Sequence, residues 1–116
     1  MEKSESRIQQ TIYNEFNNQY CLKFHSPRYL IYSVANGGKR DAREAKGLKL
    51  TGTVAGISDL QIQIEGGKVI NVEVKTETGK QSPAQKEIQQ RIEDLGGVYL
   101  VVRSLEDFKT QIKKYL

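Results

Sequence analysis

Apolar residues recur along this chain with two different periods. Ile8, Ile12 and Phe16 stand four apart, which predicts a helix from Ser4 to about Gln19 with one apolar stripe. Ser4 can cap that helix, and Glu5 suits its positive end. Pro27 interrupts the chain, and Tyr29 to Val34 reads as a strand. From Ala35 to Gly52 no period is visible, so a loop or a short helix around Asp41 to Lys46 is expected. The period then becomes two. Leu60, Ile62 and Ile64 alternate with Asp59, Gln61, Gln63 and Glu65, and after Gly66-Gly67 the residues Ile70, Val72 and Val74 alternate with Val69, Asn71, Glu73 and Lys75.

This alternation restricts the hairpin register. A two-residue loop at Gly66-Gly67 would place Leu60 opposite Glu73 and split the apolar rows between the faces. A loop with an odd number of residues, read here as Gly66-Gly67-Lys68 with Glu65 opposite Val69, puts both apolar rows on one face. Asp59, Glu73 and Lys75 then share the other face.

Ser82-Pro83-Ala84-Gln85 opens a second helix, with Ser82 as cap, Pro83 in the first turn and Gln85 placed to close a capping box. Ile88, Ile92 and Leu95 form its stripe, and Gly96-Gly97 ends it. Val98 to Arg103 is nearly all apolar, as expected for a buried parallel strand after a helical crossover. Ser104 starts a last helix with Asp107 as partner and Leu105, Phe108, Ile112 and Leu116 on its inner side. The order α-β-(loop)-β-β-α-β-α predicts a mixed sheet flanked by helices, an α/β fold, in a single domain spanning residues 1–116.

Composition narrows the chemistry. With one cysteine, Cys21, and one histidine, His25, the chain can form neither an internal disulfide nor a zinc site of thiolates and imidazoles. A metal would need oxygen ligands, which favours a hard cation such as Mg²⁺ or Mn²⁺. The net charge of +4 is concentrated: Lys39, Arg40, Arg43, Lys46 and Lys49 stand against only Asp41 and Glu44 between Asn36 and Leu50. That stretch is either a DNA-binding, phosphate-gripping segment or a solvated loop. No long apolar run and no signal-peptide core are present, so the expected location is the cytoplasm of a bacterial cell or phage-infected host, with no membrane contact.

Asp59, Glu73 and Lys75 on one face suggest a catalytic centre. Two carboxylates can hold a divalent cation, with the backbone carbonyl of Val74 as a further ligand, and the lysine can orient water or stabilise charge on the phosphate. The competing reading of Glu-x-Lys on a strand is a surface ion pair. The Gly56-x-x-Asp59-Leu60 element at the start of the partner strand favours the catalytic one.

Taken in order, Glu5-x-x-Ile8-Gln9, Gly56-x-x-Asp59-Leu60, Val72-Glu73-Val74-Lys75-Thr76, Gly79-Lys80-x-Ser82-Pro83-x-Gln85 and Gly97-x-Tyr99-x-Val101-Val102-Arg103-Ser104 resemble the VRR-NUC family. These are virus-type replication-repair nucleases of the PD-(D/E)XK superfamily, and the resemblance covers nearly the whole chain. It implies a restriction-endonuclease-like α-β-β-β-α-β core, metal-dependent phosphodiester hydrolysis and a carboxylate–carboxylate–lysine centre. It also implies a homodimer acting on branched DNA such as four-way (Holliday) junctions. Within it Glu5 matches an acid of the first helix that supports the metal, its other reading being a first-turn acid favoured by the helix dipole, with Glu2 as substitute. Gln85 matches a glutamine near the lysine, and the capping box is its other reading. Departures exist: Tyr32 stands where relatives carry an arginine, and Asn36 aligns only loosely with their Asn-x-Gly element. His25 reads as structural. Tyr13, Tyr20, Tyr29 and Tyr32 read first as core or dimer-interface residues and second as base-stacking platforms.

The function expected is therefore a Mg²⁺- or Mn²⁺-dependent, structure-specific DNA endonuclease. The alternatives are a non-catalytic nucleic-acid-binding module with a nuclease fold, and a sequence-specific restriction-type endonuclease. Little chain lies outside the core to read base edges, which weighs against the last.

Overall fold

A computed structural model of the chain describes residues 3–22, 28–34 and 50–116. Its main elements are α1 (Glu5–Phe16), β1 (Leu30–Ser33), β2 (Leu60–Gln63), β3 (Val69–Val74), α2 (Pro83–Asp94), β4 (Val98–Val102) and α3 (Leu105–Ile112). The strands form one sheet in the order β1-β2-β3-β4, antiparallel except for the parallel β3–β4 pair. This is the expected mixed α/β layering. The first helix is shorter than its apolar period suggests: regular α-helix stops at Phe16, and a wider π turn, Asn17–Cys21, carries the chain off.

The hairpin has the expected parity with a corrected register. Gln63, not Glu65, faces Val69, Ile62 faces Ile70, and Leu60 faces Val72. The bend is Glu65-Gly66-Gly67, closed by the Ile64 N–H donating to the Lys68 carbonyl at 2.9 Å. Gly66 (φ 78°) and Gly67 (φ 73°) both adopt the left-handed region, so the turn sits one residue earlier than expected. Since side chains alternate, a two-residue change in pairing leaves every side chain on its expected face.

The apolar face carries Ile31, Leu60, Ile62, Ile70, Val72, Val74, Leu100 and Val102, and it packs against Ile8, Ile12 and Phe16 of α1 and Phe108 and Ile112 of α3. Phe16 is the hub of an aromatic cluster, 5.0 Å from Tyr20, 6.0 Å from Tyr29 and 5.9 Å edge-on from Phe108, measured between ring centroids. Tyr20 and Tyr29 thus pack on the core, whereas Tyr32 lies on the opposite face in a hydrogen-bonded chain with Gln61 (3.0 Å) and Gln63 (2.9 Å).

Helix α2 reaches that opposite, polar face, where its Gln85 meets Glu73 of β3. Its apolar stripe is shorter than expected. Ile88 is buried, but Leu95 is the C-cap and is 88% exposed. At Glu73 the helix meets the sheet with the amide of Gln85 rather than with hydrocarbon. Leu116 is likewise exposed, because α3 ends at Ile112 and a 3₁₀ turn, Lys113–Tyr115, redirects the last residues.

The loop entering β2 docks on α2 through Gly56. Its φ is +88°, and a methyl group there would lie 2.5 Å from the carbonyl oxygen of Ala84 and 2.9 Å from the nitrogen of Gln85. Gly66 has a similar φ of +78° but open space around it. Gly66→Ala should therefore cost only the conformational term, about 1–2 kcal/mol, while Gly56→Ala should cost roughly a further 1–3 kcal/mol from backbone overlap. Urea denaturation of the two variants checks this, and equal losses would show that the loop can lift off α2 freely.

Candidate active site

The site is assembled where the loop into β2 meets the end of β3. Ser58 is fully buried, and its hydroxyl lies 3.2 Å from both the Leu60 carbonyl and Asn71 Oδ1. Asn71 also accepts from Gln61 Nε2 at 3.1 Å and donates through Nδ2 to the Val98 carbonyl at 3.0 Å. One small hydroxyl and one amide thus tie the entry of β2 to β3 and β4. The next residue, Asp59, is held through its backbone carbonyl, which accepts from the Val34 N–H at 2.9 Å. Its side chain is aimed at β3: Oδ2 accepts from the Val74 N–H at 2.8 Å. Asp59 therefore lies across from Glu73, as its face predicts.

Glu73 is 1% exposed, and its carboxylate is met by polar groups. Its Oε2 accepts from Gln85 Nε2 at 2.8 Å and lies 3.9 Å from Lys75 Nζ. Its Oε1 accepts from the Tyr99 hydroxyl at 3.3 Å. Lys75 is also buried, an unusual place for a lysine without a partner. Burial pushes the Glu73 carboxyl up to about 8, reinforced by the charge of Asp59 and a hydrogen bond with the Asp59 carboxyl. Lys75 and the Tyr99 bond pull the other way and do not outweigh these effects. Burial first, and then the neighbouring Glu73 carboxylate, raise the Tyr99 phenol in turn. Glu73 thus retains its proton near neutral pH in the metal-free protein.

Gln85 closes the expected capping box and also reaches the cluster, at Glu73 and not at Lys75. Its Oε1 accepts from the Ser82 N–H at 2.8 Å while its own N–H donates to Ser82 Oγ at 3.1 Å, closing the capping box. The amide nitrogen left over is the one that donates to Glu73. The amide is bifunctional, so the cap and the carboxylate contact fix its orientation together.

The structure does not bring the other expected residues into this cluster. Glu5 is exposed in the first turn of α1, and among the described residues no group of three His, Cys, Asp or Glu side chains gathers. Glu2, His25, Asn36 and the basic residues Lys39, Arg40, Arg43, Lys46 and Lys49 lie outside the described residues. Tyr99 was visible only as part of a motif. A tyrosine within the apolar run Val98–Val102 needs a partner for its hydroxyl, and that requirement was the available signal.

A carboxyl raised in the folded state is protonated there over a range in which the unfolded chain has already lost its proton. Folding then binds a proton, so the metal-free protein should lose stability as pH rises from about 4.5 to about 8. Glu73→Gln keeps the shape and removes the titration. In EDTA, the difference in urea midpoint between wild type and Glu73→Gln should shift in favour of the variant across that range. A pH-independent difference would contradict a raised Glu73.

No protein-family model and no curated protein matches this sequence. Solved structures do. One described as a VRR_NUC domain protein superimposes with a TM-score of 0.78 at 23% identity, over 98% of this chain and 88% of the other. Another, described as a VRR_NUC domain, gives a TM-score of 0.66 at 22% identity, over 98% of this chain and all of the other. With its four-stranded mixed sheet and flanking helices, the chain has the fold of the VRR-NUC domain.

Proposed function

We propose that this protein is a divalent-metal-dependent endonuclease that hydrolyses phosphodiester bonds in DNA, acting as a homodimer on branched substrates such as four-way junctions. The observation that carries the reading is buried Glu73 facing Asp59, with Lys75 beside it. Glu73, kept out of water beside a second carboxyl, does not ionise readily. A hard cation between them would replace the retained proton, so the donor set fits Mg²⁺ or Mn²⁺. Asp59 and Glu73 would hold it, together with the Val74 carbonyl. In an extended strand that carbonyl points to the same side as the Val74 N–H, which faces Asp59. Few protein ligands suit Mg²⁺, which keeps several waters. When bound, the cation supplies Lewis acidity toward water and the scissile phosphate.

The remaining roles fall to the chain. Lys75 holds its ammonium next to Glu73, where it can orient water and balance charge developing on the phosphate. Gln85 and Tyr99 lock the Glu73 carboxylate from two sides. Lys39, Arg40, Arg43, Lys46 and Lys49 grip backbone phosphates, giving affinity without base reading. The VRR_NUC fold supports the nuclease reading, and the preference for junctions and the dimer extend it.

Labelled linear, flap and four-way-junction DNA should be cut with Mg²⁺ or Mn²⁺ and left intact with EDTA. Asp59→Ala, Glu73→Ala and Lys75→Ala should each slow cleavage by at least about 100-fold. Absence of cleavage on every substrate, or indifference to Lys75→Ala, would refute the proposal. Binding without hydrolysis would instead favour a nuclease fold used only for DNA recognition. Light scattering should give a dimer mass, and a monomer would count against symmetric junction cutting.

A further inference from the structure

Immediately after Lys75 the chain leaves the sheet and forms the loop 76–79 before the cap of α2. Arg103, the first residue after β4, reaches into this loop. Its Nη1 donates to the Thr76 carbonyl at 2.7 Å and to the Gly79 carbonyl at 2.6 Å, with the Glu77 carbonyl at 3.5 Å. Within the loop the Gly79 N–H donates to the Thr76 carbonyl at 3.2 Å. Arg103 is itself held at its backbone, where its N–H donates to Asp107 Oδ2 at 2.9 Å. Asp107 is fixed in the first turn of α3 by the Ser104 cap (3.0 Å) and by Gln111 Nε2 (3.0 Å). Lys75 is attached to the same strand end, its N–H donating to the Val102 carbonyl at 2.9 Å.

The loop lies against the lysine. A methyl group on Gly79 would lie 2.8 Å from Thr76 Oγ1 and 3.7 Å from Cδ of Lys75. Gly79 therefore lies about a methyl group's reach from the stem of the side chain whose ammonium sits 3.9 Å from Glu73. A buried lysine stem has several rotatable bonds, and its head stays in place only if its walls do. The wall here is a short loop whose carbonyls converge on one guanidinium nitrogen.

We infer that Arg103 is a positioning residue: by closing loop 76–79 against the stem of Lys75, it fixes the ammonium beside Glu73. The geometry of this role stands independently, and its catalytic consequence rests on the nuclease reading above. Arginine suits the role because its guanidinium nitrogen offers two hydrogens in a fixed plane and stays charged. A lysine could reach only part of the carbonyl cluster.

The test has two arms on the full chain. In the first, single-turnover and steady-state cleavage of a four-way junction with Mg²⁺ are measured for wild type, Arg103→Gln, Arg103→Lys and Lys75→Ala. Arg103→Gln should lower kcat by at least about tenfold with KM changed less than about twofold, and Arg103→Lys should recover part of the loss. In a Lys75→Ala background, Arg103→Gln should add less than about twofold, since both act through one group. Equal losses in the two backgrounds, or an unchanged kcat, would overturn the inference. In the second arm, NMR follows the Lys75 Cε–Hε signals with Lys113 as an exposed reference. Arg103→Gln should move the Lys75 signals toward those of Lys113, and unmoved signals would overturn the inference. If Arg103→Gln does not fold, Arg103→Lys carries both arms: kcat and the Lys75 signals should move in the same directions by smaller amounts, and no change in either would overturn the inference. Failure of the wild type to cut any substrate would defeat the nuclease reading alone, because the NMR arm still decides the role of Arg103.

Discussion

Burying Glu73 beside Asp59 removes solvation that no single partner restores, and the surrounding structure is organised around that deficit. Gln85, Tyr99 and Lys75 converge on Glu73 from a helix, a parallel strand and the same strand, while the Val74 amide occupies one oxygen of Asp59. Each contact is ordinary. Together they hold two acids in a place where neither would be held by packing alone. The apolar face of the same sheet, sealed by α1 and α3, makes this possible, because it provides a rigid floor against which the polar face can be strained.

Much of this was legible in the alternation of side chains. Leu60, Ile62, Ile70, Val72 and Val74 all had to reach one face, and that requirement alone placed Asp59, Glu73 and Lys75 on the other. The exact pairing was not legible. Faces repeat every two residues, so a turn centred on Glu65-Gly66-Gly67 and one centred on Gly66-Gly67-Lys68 satisfy the same pattern. Choosing between them depends on which residues take the left-handed conformation, which both glycines do. Leu95 and Leu116 were misread for a related reason. Helical spacing reports which residues share a side, but not where the helix stops or whether the surface it meets is greasy.

The contacts invisible to pattern reading were those made by backbone. Nothing in the sequence says that Gly56 must lie against Ala84, or that Arg103 will spend a guanidinium nitrogen on three carbonyls. Ser58 gave no periodic signal, and Asn71 read only as one more polar position of β3, although one hydroxyl and one amide suffice for the job. Long-range polar contacts of this kind depend on angles between elements, and those angles emerge only when the layers are packed. That Asp59, Glu73 and Lys75 share a face could be read in advance, but most of the contacts that hold them still could not.

The bifunctional amide of Gln85 has a mechanical consequence. One end of it secures the first turn of α2, and the other secures the carboxylate. A change of charge on Glu73 alters how strongly the amide is drawn toward the sheet, and that pull is transmitted to the backbone of Ser82. The helix start and the electrostatic state of the centre are therefore two ends of one lever. Fraying of α2 at its first turn would therefore follow the protonation of Glu73, through the one amide that touches both.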